Sequence, residues 1–211
     1  MERSGFDPDK DRLISLGDIT DYNPENVRLI DRLMDIPNFI SVRGNHDTMV
    51  LDYLRTGFPS SVWHYNGGIQ TRSELDQLSR EKRAAYLEFF ENQLRYFIDE
   101  ENRLYVHAGF DHTAQIDGQS DEILYWGRKL WMAAKRSEMF GEEFPENEFK
   151  EVFIGHTQTA KSWPDCLPKH FGNIWNLDQG AKEIGRLTIM DVATKEFWQS
   201  DPTKELYPET V

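Results

Sequence analysis

The chain has little that would tie it to a disulfide framework, a membrane or nucleic acid. One cysteine, Cys166, in 211 residues precludes an internal disulfide. Its setting, Trp163-Pro164-Asp165-Cys166-Leu167-Pro168, reads as a loop with no cation just ahead of it to activate the thiol. A reducing compartment fits that usage. No apolar run approaches the ~18 residues that span a bilayer, and Met1-Glu2-Arg3-Ser4-Gly5 opens no signal-peptide core. We therefore expect a cytoplasmic protein with no membrane partner. Positive charge is scarce: 24 Lys and Arg stand against 37 Asp and Glu, a formal net charge of −13. A phosphate backbone demands a cationic surface, so nucleic acid is not an expected partner. An anionic substrate remains compatible with the charge, because bound cations can dominate the field inside a cleft. Internal repeats, low-complexity tracts and linkers are missing too, which predicts a single domain over residues 1–211.

What the chain does have is material for a core. Hydrophobic residues make up 38% and aromatics 13%, with six Trp and thirteen Phe, a composition that excludes disorder. Short apolar runs recur, each ending abruptly in Gly, Asp, Asn or His. Leu13-Ile14-Ser15-Leu16 runs into Gly17-Asp18, and Phe39-Ile40-Ser41-Val42 into Arg43-Gly44-Asn45-His46-Asp47. Leu104-Tyr105-Val106 runs into His107-Ala108-Gly109, and Val152-Phe153-Ile154 into Gly155-His156-Thr157. Ile174-Trp175-Asn176-Leu177 runs into Asp178-Gln179-Gly180. Such runs predict buried strands. Open α/β sheets bind ligands outside the carboxyl ends of their strands, which is where these polar residues fall.

Helices are expected in the gaps. Asn23 and Pro24 read as the N-cap and first turn of one helix with Val27, Ile30, Leu33 and Met34 on its apolar face. A second is expected from Asp47 to Thr56. A third is expected from Ser79 to about Asp99, with Tyr86, Phe90, Leu94 and Phe97 facing the core. A fourth spans Asp121 to Phe140. Arg186–Val192 and Glu196–Gln199 read as an antiparallel hairpin. Trp126, Trp131 and Trp175 are expected in the core, and His64, His112 and His170 as ordinary polar residues.

A two-metal hydrolase needs a carboxylate that bridges both ions, neutral N or O ligands, and an acid for the leaving group. Asp18 is the bridging candidate; Asn45, His107 and His156 sit on the other strand-end loops. Gly17-Asp18-Ile19-Thr20-Asp21, Gly44-Asn45-His46-Asp47, His107-Ala108-Gly109 and Gly155-His156-Thr157 occur in the order and rough spacing of the calcineurin-like metallophosphoesterase superfamily. With Leu177-Asp178-Gln179-Gly180-Ala181, the chain most resembles the phosphoprotein phosphatase branch, of the bacterial serine/threonine phosphatase and dinucleoside-polyphosphatase type. That resemblance implies an α/β fold, a β-sandwich of mixed sheets flanked by helices. It implies divalent metal ions, two in the complete family site, with Mn, Fe, Zn and Mg not distinguished by the ligand types.

The resemblance implies roles as well. Asp18 would bridge the metals, and Asn45, His107 and His156 would complete the shell of the second. Metal-activated hydroxide would attack phosphorus while His46, oriented by Asp21, protonates the leaving oxygen. Arg128 is similar to the arginine of a Trp-x-Arg element that grips the substrate phosphate. The expected function is hydrolysis of phosphate monoesters, on a phosphoserine/threonine protein or a nucleotide-type small molecule. The alternative is an impaired single-metal relative that binds phosphate or protein. Arg43 is expected to be structural, Asp47 to cap the following helix, and Asp178 to hold no metal. The segments 58–72 and 142–150 are candidate rims of the cleft.

Two departures qualify the resemblance. The family opens with a strand ending in Asp-x-His, and none precedes Leu13: Asp7-Pro8-Asp9 has neither the histidine nor the strand. We therefore expect the chain as given to lack an N-terminal strand and helix and to hold one ion. The uncovered apolar sheet surface would then favour self-association. Secondly, the usual Gly-Asp-x-x-Asp-Arg-Gly reads Gly17-Asp18-Ile19-Thr20-Asp21-Tyr22-Asn23. Tyr22 replaces an arginine, which predicts weakened phosphate binding at that position.

Overall fold

A computed structural model describes residues 1–208. Its elements run β1 (Leu13–Ser15), α1 (Asn26–Met34), β2 (Phe39–Ser41), α2 (Asn45–Thr56), α3 (Ser61–Trp63), a wide helical turn over His64–Gly68, α4 (Ile69–Leu75) and α5 (Arg80–Glu91). They continue with β3 (Tyr96–Ile98), β4 (Arg103–Val106), α6 (Asp121–Trp126), α7 (Lys129–Phe140), β5 (Glu151–Ile154), β6 (Lys169–Phe171), β7 (Ile174–Asn176), β8 (Thr188–Met190), β9 (Phe197–Gln199) and α8 (Thr203–Leu206). None of the described helices is long and apolar enough to cross a membrane.

The strands form a mixed sandwich. A five-stranded sheet has the order β3-β4-β5-β7-β6, with β4, β5 and β7 parallel and both edge strands antiparallel. Against it lie the parallel pair β1-β2 and the antiparallel hairpin β8-β9, the latter where the C-terminal hairpin was expected. Side-chain alternation divides the central strands cleanly. Leu104, Val106, Val152, Ile154 and Ile174 face α6 and α7, where Leu124, Leu130, Trp131 and Ala134 are buried. The opposite face carries Tyr105, Phe153 and Trp175, paired in register across three strands. The rings of Tyr105 and Phe153 stack 5.1 Å apart at 10°. Ile14, Leu16 and Val42 pack on this aromatic row from the β1-β2 side, and Met190 and Val192 from the hairpin. Strands buried on both faces read as unbroken apolar runs, which is why they are legible in the sequence.

Four details differ from expectation. The first helix starts at Asn26, not at Pro24, because Asn26 turns inward to accept from the Asp21 N–H and to donate to Asn23. Its open N–H groups are met from α4, where Glu74 accepts from Glu25 and Val27. The third helix ends at Glu91. Leu94 is drawn instead to the edge of β2, exchanging backbone hydrogen bonds with Ser41 and Arg43, and Phe97 lies in β3. The helix expected over Asp121–Phe140 breaks at Gly127, whose backbone is extended (ψ 127°), leaving Arg128 at the start of α7. The three tryptophans form no common cluster: Trp131 and Trp175 lie on opposite faces of the sheet, and Trp126 is 42% exposed.

Candidate metal centre

The loops that leave β1, β2, β4 and β5 meet at one point. Gly17 (φ 90°) and Asp18 (φ 54°) take the left-handed conformation and turn the chain sharply off β1. Asp47, at the start of α2, holds that turn: its carboxylate accepts from the backbone N–H of Asp18 (2.9 Å), Ile19 (3.1 Å) and Gly44 (2.8 Å). Burial and the neighbouring Asp18 charge push the Asp47 carboxyl up to about 6. Gly44 permits the approach, because a Cβ there would fall on the Asp18 carboxylate. Asp18 Oδ1 then accepts from the His46 N–H at 2.9 Å, at the N-terminal end of α2, where a helix favours negative charge.

Opposite lies His107, fully buried at the end of β4. Its Nδ1 donates to the Leu16 carbonyl at 2.6 Å, which fixes the tautomer and aims Nε2 at the cluster. Around that nitrogen converge Asn45 Oδ1 at 3.0 Å, His156 Nδ1 at 3.2 Å and Asp18 Oδ2 at 3.4 Å. His156 (φ 62°) is held in strained backbone geometry, and among the described residues its buried Nε2 has no hydrogen-bond partner. Burial and the nearby charges of His107 and Arg128 drive His156 down to about 3, so the neutral ring keeps one nitrogen lone pair for coordination. Burial opposes ionisation of Asp18, yet the charge of His107 outweighs it and holds Asp18 well below the usual carboxylate range. Asp18, His107 and His156 each present a ligand atom, all within 4.8 Å of one another. A carboxylate, an amide oxygen and imidazole nitrogens form a donor set that suits a divalent cation.

A second group lies beside the first. His46 Nδ1 sits 2.6 Å from Asp21 Oδ2, both side chains buried. Asp21 is held in turn by Trp63, whose indole N–H donates to Oδ2 at 2.8 Å, and by the Thr71 hydroxyl, which donates to Oδ1 at 2.5 Å. Burial works against protonation of His46, but the Asp21 hydrogen bond and the charges of Asp18 and Asp21 raise it above its ordinary value. Asp18, His46, His107, His156 and Asp178 all line a cavity of about 640 Å³ that extends past β1 toward the β8-β9 hairpin.

The expected residues do not all arrive together. Arg128 is exposed and makes no side-chain hydrogen bond among the described residues; only its charge reaches His156. Arg43 donates to the carbonyls of Phe90 and Glu91 at the end of α5, a structural use. His112 meets the Glu146 carbonyl, and His170, on edge strand β6, lies against Trp175. Asp47 does more than cap α2, and its place beside His46 was a usable signal. Trp63 and Thr71, 42 and 50 residues from Asp21, fall within the segment 58–72 expected at the rim, but nothing in the sequence tied them to Asp21.

Comparison with known proteins gives a consistent picture. The calcineurin-like phosphoesterase family model matches residues 2–160. Serine/threonine-protein phosphatase 2 of Salmonella typhimurium is 35% identical over 135 residues, which is 61% of this chain and 60% of that protein's length. Serine/threonine-protein phosphatase 1 of the same organism is 40% identical over 191 residues, covering 87% and 80% of the two chains. Among solved structures, one described as a candidate diadenosine tetraphosphatase superposes with a TM-score of 0.66 at 16% identity, covering 95% of this chain and 84% of its own.

Proposed function

The chain belongs to the calcineurin-like phosphoesterase family, and from that premise we propose that it hydrolyses phosphate monoesters at a divalent-metal centre formed by Asp18, Asn45, His107 and His156. The observation that carries this reading is the convergence of those four side chains on one point with a hydrogen-bonded His46–Asp21 pair beside it. Relatives named as serine/threonine-protein phosphatases favour a phosphorylated protein as substrate. The fold shared with a candidate diadenosine tetraphosphatase keeps a nucleotide in view as well. We take the chain as one domain, since the site draws on elements from β1 to the loop after β7.

A bound divalent cation supplies a lowered pKa for water and charge against the phosphoryl oxygens. The remaining chemistry belongs to the chain. Asp21, its oxygens taken up by Trp63, Thr71 and His46, keeps a proton on His46 Nδ1. The Nε2 proton of the imidazolium passes to the ester oxygen as its bond to phosphorus breaks, leaving neutral His46 and a free alcohol. A phosphate-binding role for Arg128 is supported only by its position at the head of α7 and by its charge acting on His156.

A second reading is a single-metal relative that binds phosphate with little turnover. It is favoured because Asp18, His107 and His156 make the one group of three His, Cys or carboxylate ligands found among the described residues. Calorimetric titration with manganese, paired with hydrolysis of an aryl phosphate, decides between them. Saturable manganese binding with turnover, both abolished by Asp18→Asn, supports the hydrolase. Binding without turnover supports the second reading, and no metal dependence of either signal removes both.

A further inference from the structure

Tyr22 occupies the position where the resemblance leads one to expect an arginine, and its surroundings are built with care. The residue sits at φ 65°, its N–H donating to the Gly67 carbonyl at 3.0 Å. A Cβ on Gly67 would lie within 2.7 Å of the Tyr22 ring, so glycine lets the His64–Gly68 turn press flat against it. From the far end of the chain comes Lys182, 160 residues away, whose Nζ donates to the Tyr22 hydroxyl at 3.0 Å. The same ammonium lies 4.2 Å from the ring centroid, a distance at which a cation is attracted to an aromatic face.

What this lysine does not meet is a carboxylate. Most lysines and arginines near a carboxylate here are paired with it, yet no described carboxylate lies within 4.0 Å of Lys182 Nζ. In a chain with net charge −13 that is a cation left free of an anion. It also faces the centre: Lys182, Tyr22, His46, Asp18 and Asp178 line one cavity, and its charge is felt at both His46 and Asp178. Resting on an aromatic ring limits the freedom of its long stem, so less entropy is lost when an anion arrives.

We propose that Lys182, braced on Tyr22, is a phosphate-binding cation of this cleft, its ammonium taking an anionic oxygen of a phosphate seated against the Asp18–His107–His156 cluster. It supplies positive charge beside the β1–α1 loop, where Tyr22 itself carries none. The inference rests on the metallophosphoesterase reading above. A lysine offers a rotatable point charge rather than the planar fork of arginine, so the subsite recognises phosphate charge with loose orientation.

The test measures binding of inorganic phosphate to the manganese-loaded full chain by calorimetry, for wild type, Lys182→Met, Lys182→Gln and Asp18→Asn. Two neutral variants guard against a local folding defect in either one. Loss of a hydrogen bond to a charged group predicts phosphate binding weakened about 10- to 100-fold in both Lys182 variants, with manganese affinity unchanged. Asp18→Asn should weaken both ligands. Phosphate affinity within twofold of wild type in the Lys182 variants, but lost in Asp18→Asn, overturns the Lys182 subsite and leaves the metal centre standing. Phosphate binding unaffected by any of the three, or absent in loaded wild type, overturns the subsite; if manganese binding also survives Asp18→Asn, the metal reading fails with it.

Discussion

The Nδ1 of His46 and the Oδ2 of Asp21 lie 2.6 Å apart within a pair of buried side chains, just below the ~2.7–2.9 Å of an ordinary charge-assisted N–H···O contact. The pair is anchored from three elements at once: Asp21 from the β1–α1 loop, Trp63 from α3 and Thr71 from α4. That anchoring leaves the opposite ring nitrogen, Nε2, as the one available for chemistry.

His46→Asn therefore should cut turnover of an alkyl phosphate by roughly 10²–10⁴-fold while sparing manganese affinity. An aryl phosphate, whose leaving group needs less help from a proton, should lose far less. Steady-state kinetics on both esters checks this. Equal and negligible losses would take His46 out of the proton transfer.

Thr71→Val removes a fully buried hydroxyl that donates to Asp21 Oδ1. The carboxylate oxygen is then left without that donor inside the protein, and the chain should lose about 1–3 kcal/mol of stability in urea denaturation. Thr71→Ser keeps the donor and should recover part of the loss. Unchanged stability in the valine variant would mean that water replaces the hydroxyl.

Gly44→Ala drives a methyl group onto the Asp18 carboxylate and its backbone N–H. The Asp18 backbone N–H at 2.6 Å cannot swing aside as a side chain could, so overpacking should cost about 1–3 kcal/mol. Manganese binding should fall with it, since the displaced group is Asp18 itself. Wild-type stability and metal affinity in this variant would contradict the packing described for the two loops.

His156 titrates near 3 in the folded chain, well below the ordinary histidine value of 6.5. The sign follows from linkage: the unfolded chain takes up this proton first as pH falls. The contribution of His156 is thus complete above pH 6.5 and lost progressively as the pH drops toward 3. His46 and His107, both raised, act in the opposite direction, so the effect must be isolated by difference. Urea midpoints of chelator-treated wild type minus His156→Gln should shrink steadily on acidification through that window. A difference that stays level or grows would show His156 to be solvated.

Much of this site could be read from the chain alone, and the reason is local. Asp18, Asn45, His107 and His156 each follow a short apolar strand, half-buried in β1 and β2 and buried in β4 and β5, and such strands announce themselves as apolar runs cut off by turn residues. Asp21 and His46 lay inside the same short motifs. The C-terminal hairpin, too, needed only two apolar runs and the turn between them. What tertiary structure decided is what reaches those loops from elsewhere. Trp63 and Thr71 bond to Asp21 through side-chain contacts that leave no periodic trace in sequence. Lys182 finds Tyr22 across 160 residues for the same reason. Helical periodicity carried the third helix through Leu94 and the fourth through Gly127, yet both stop short. Leu94 gains backbone partners at the edge of β2, and the chain turns extended at Gly127 before α7 begins. Propensity is worth tenths of a kcal/mol per residue, and long-range pairing with burial outweighs it wherever the two compete.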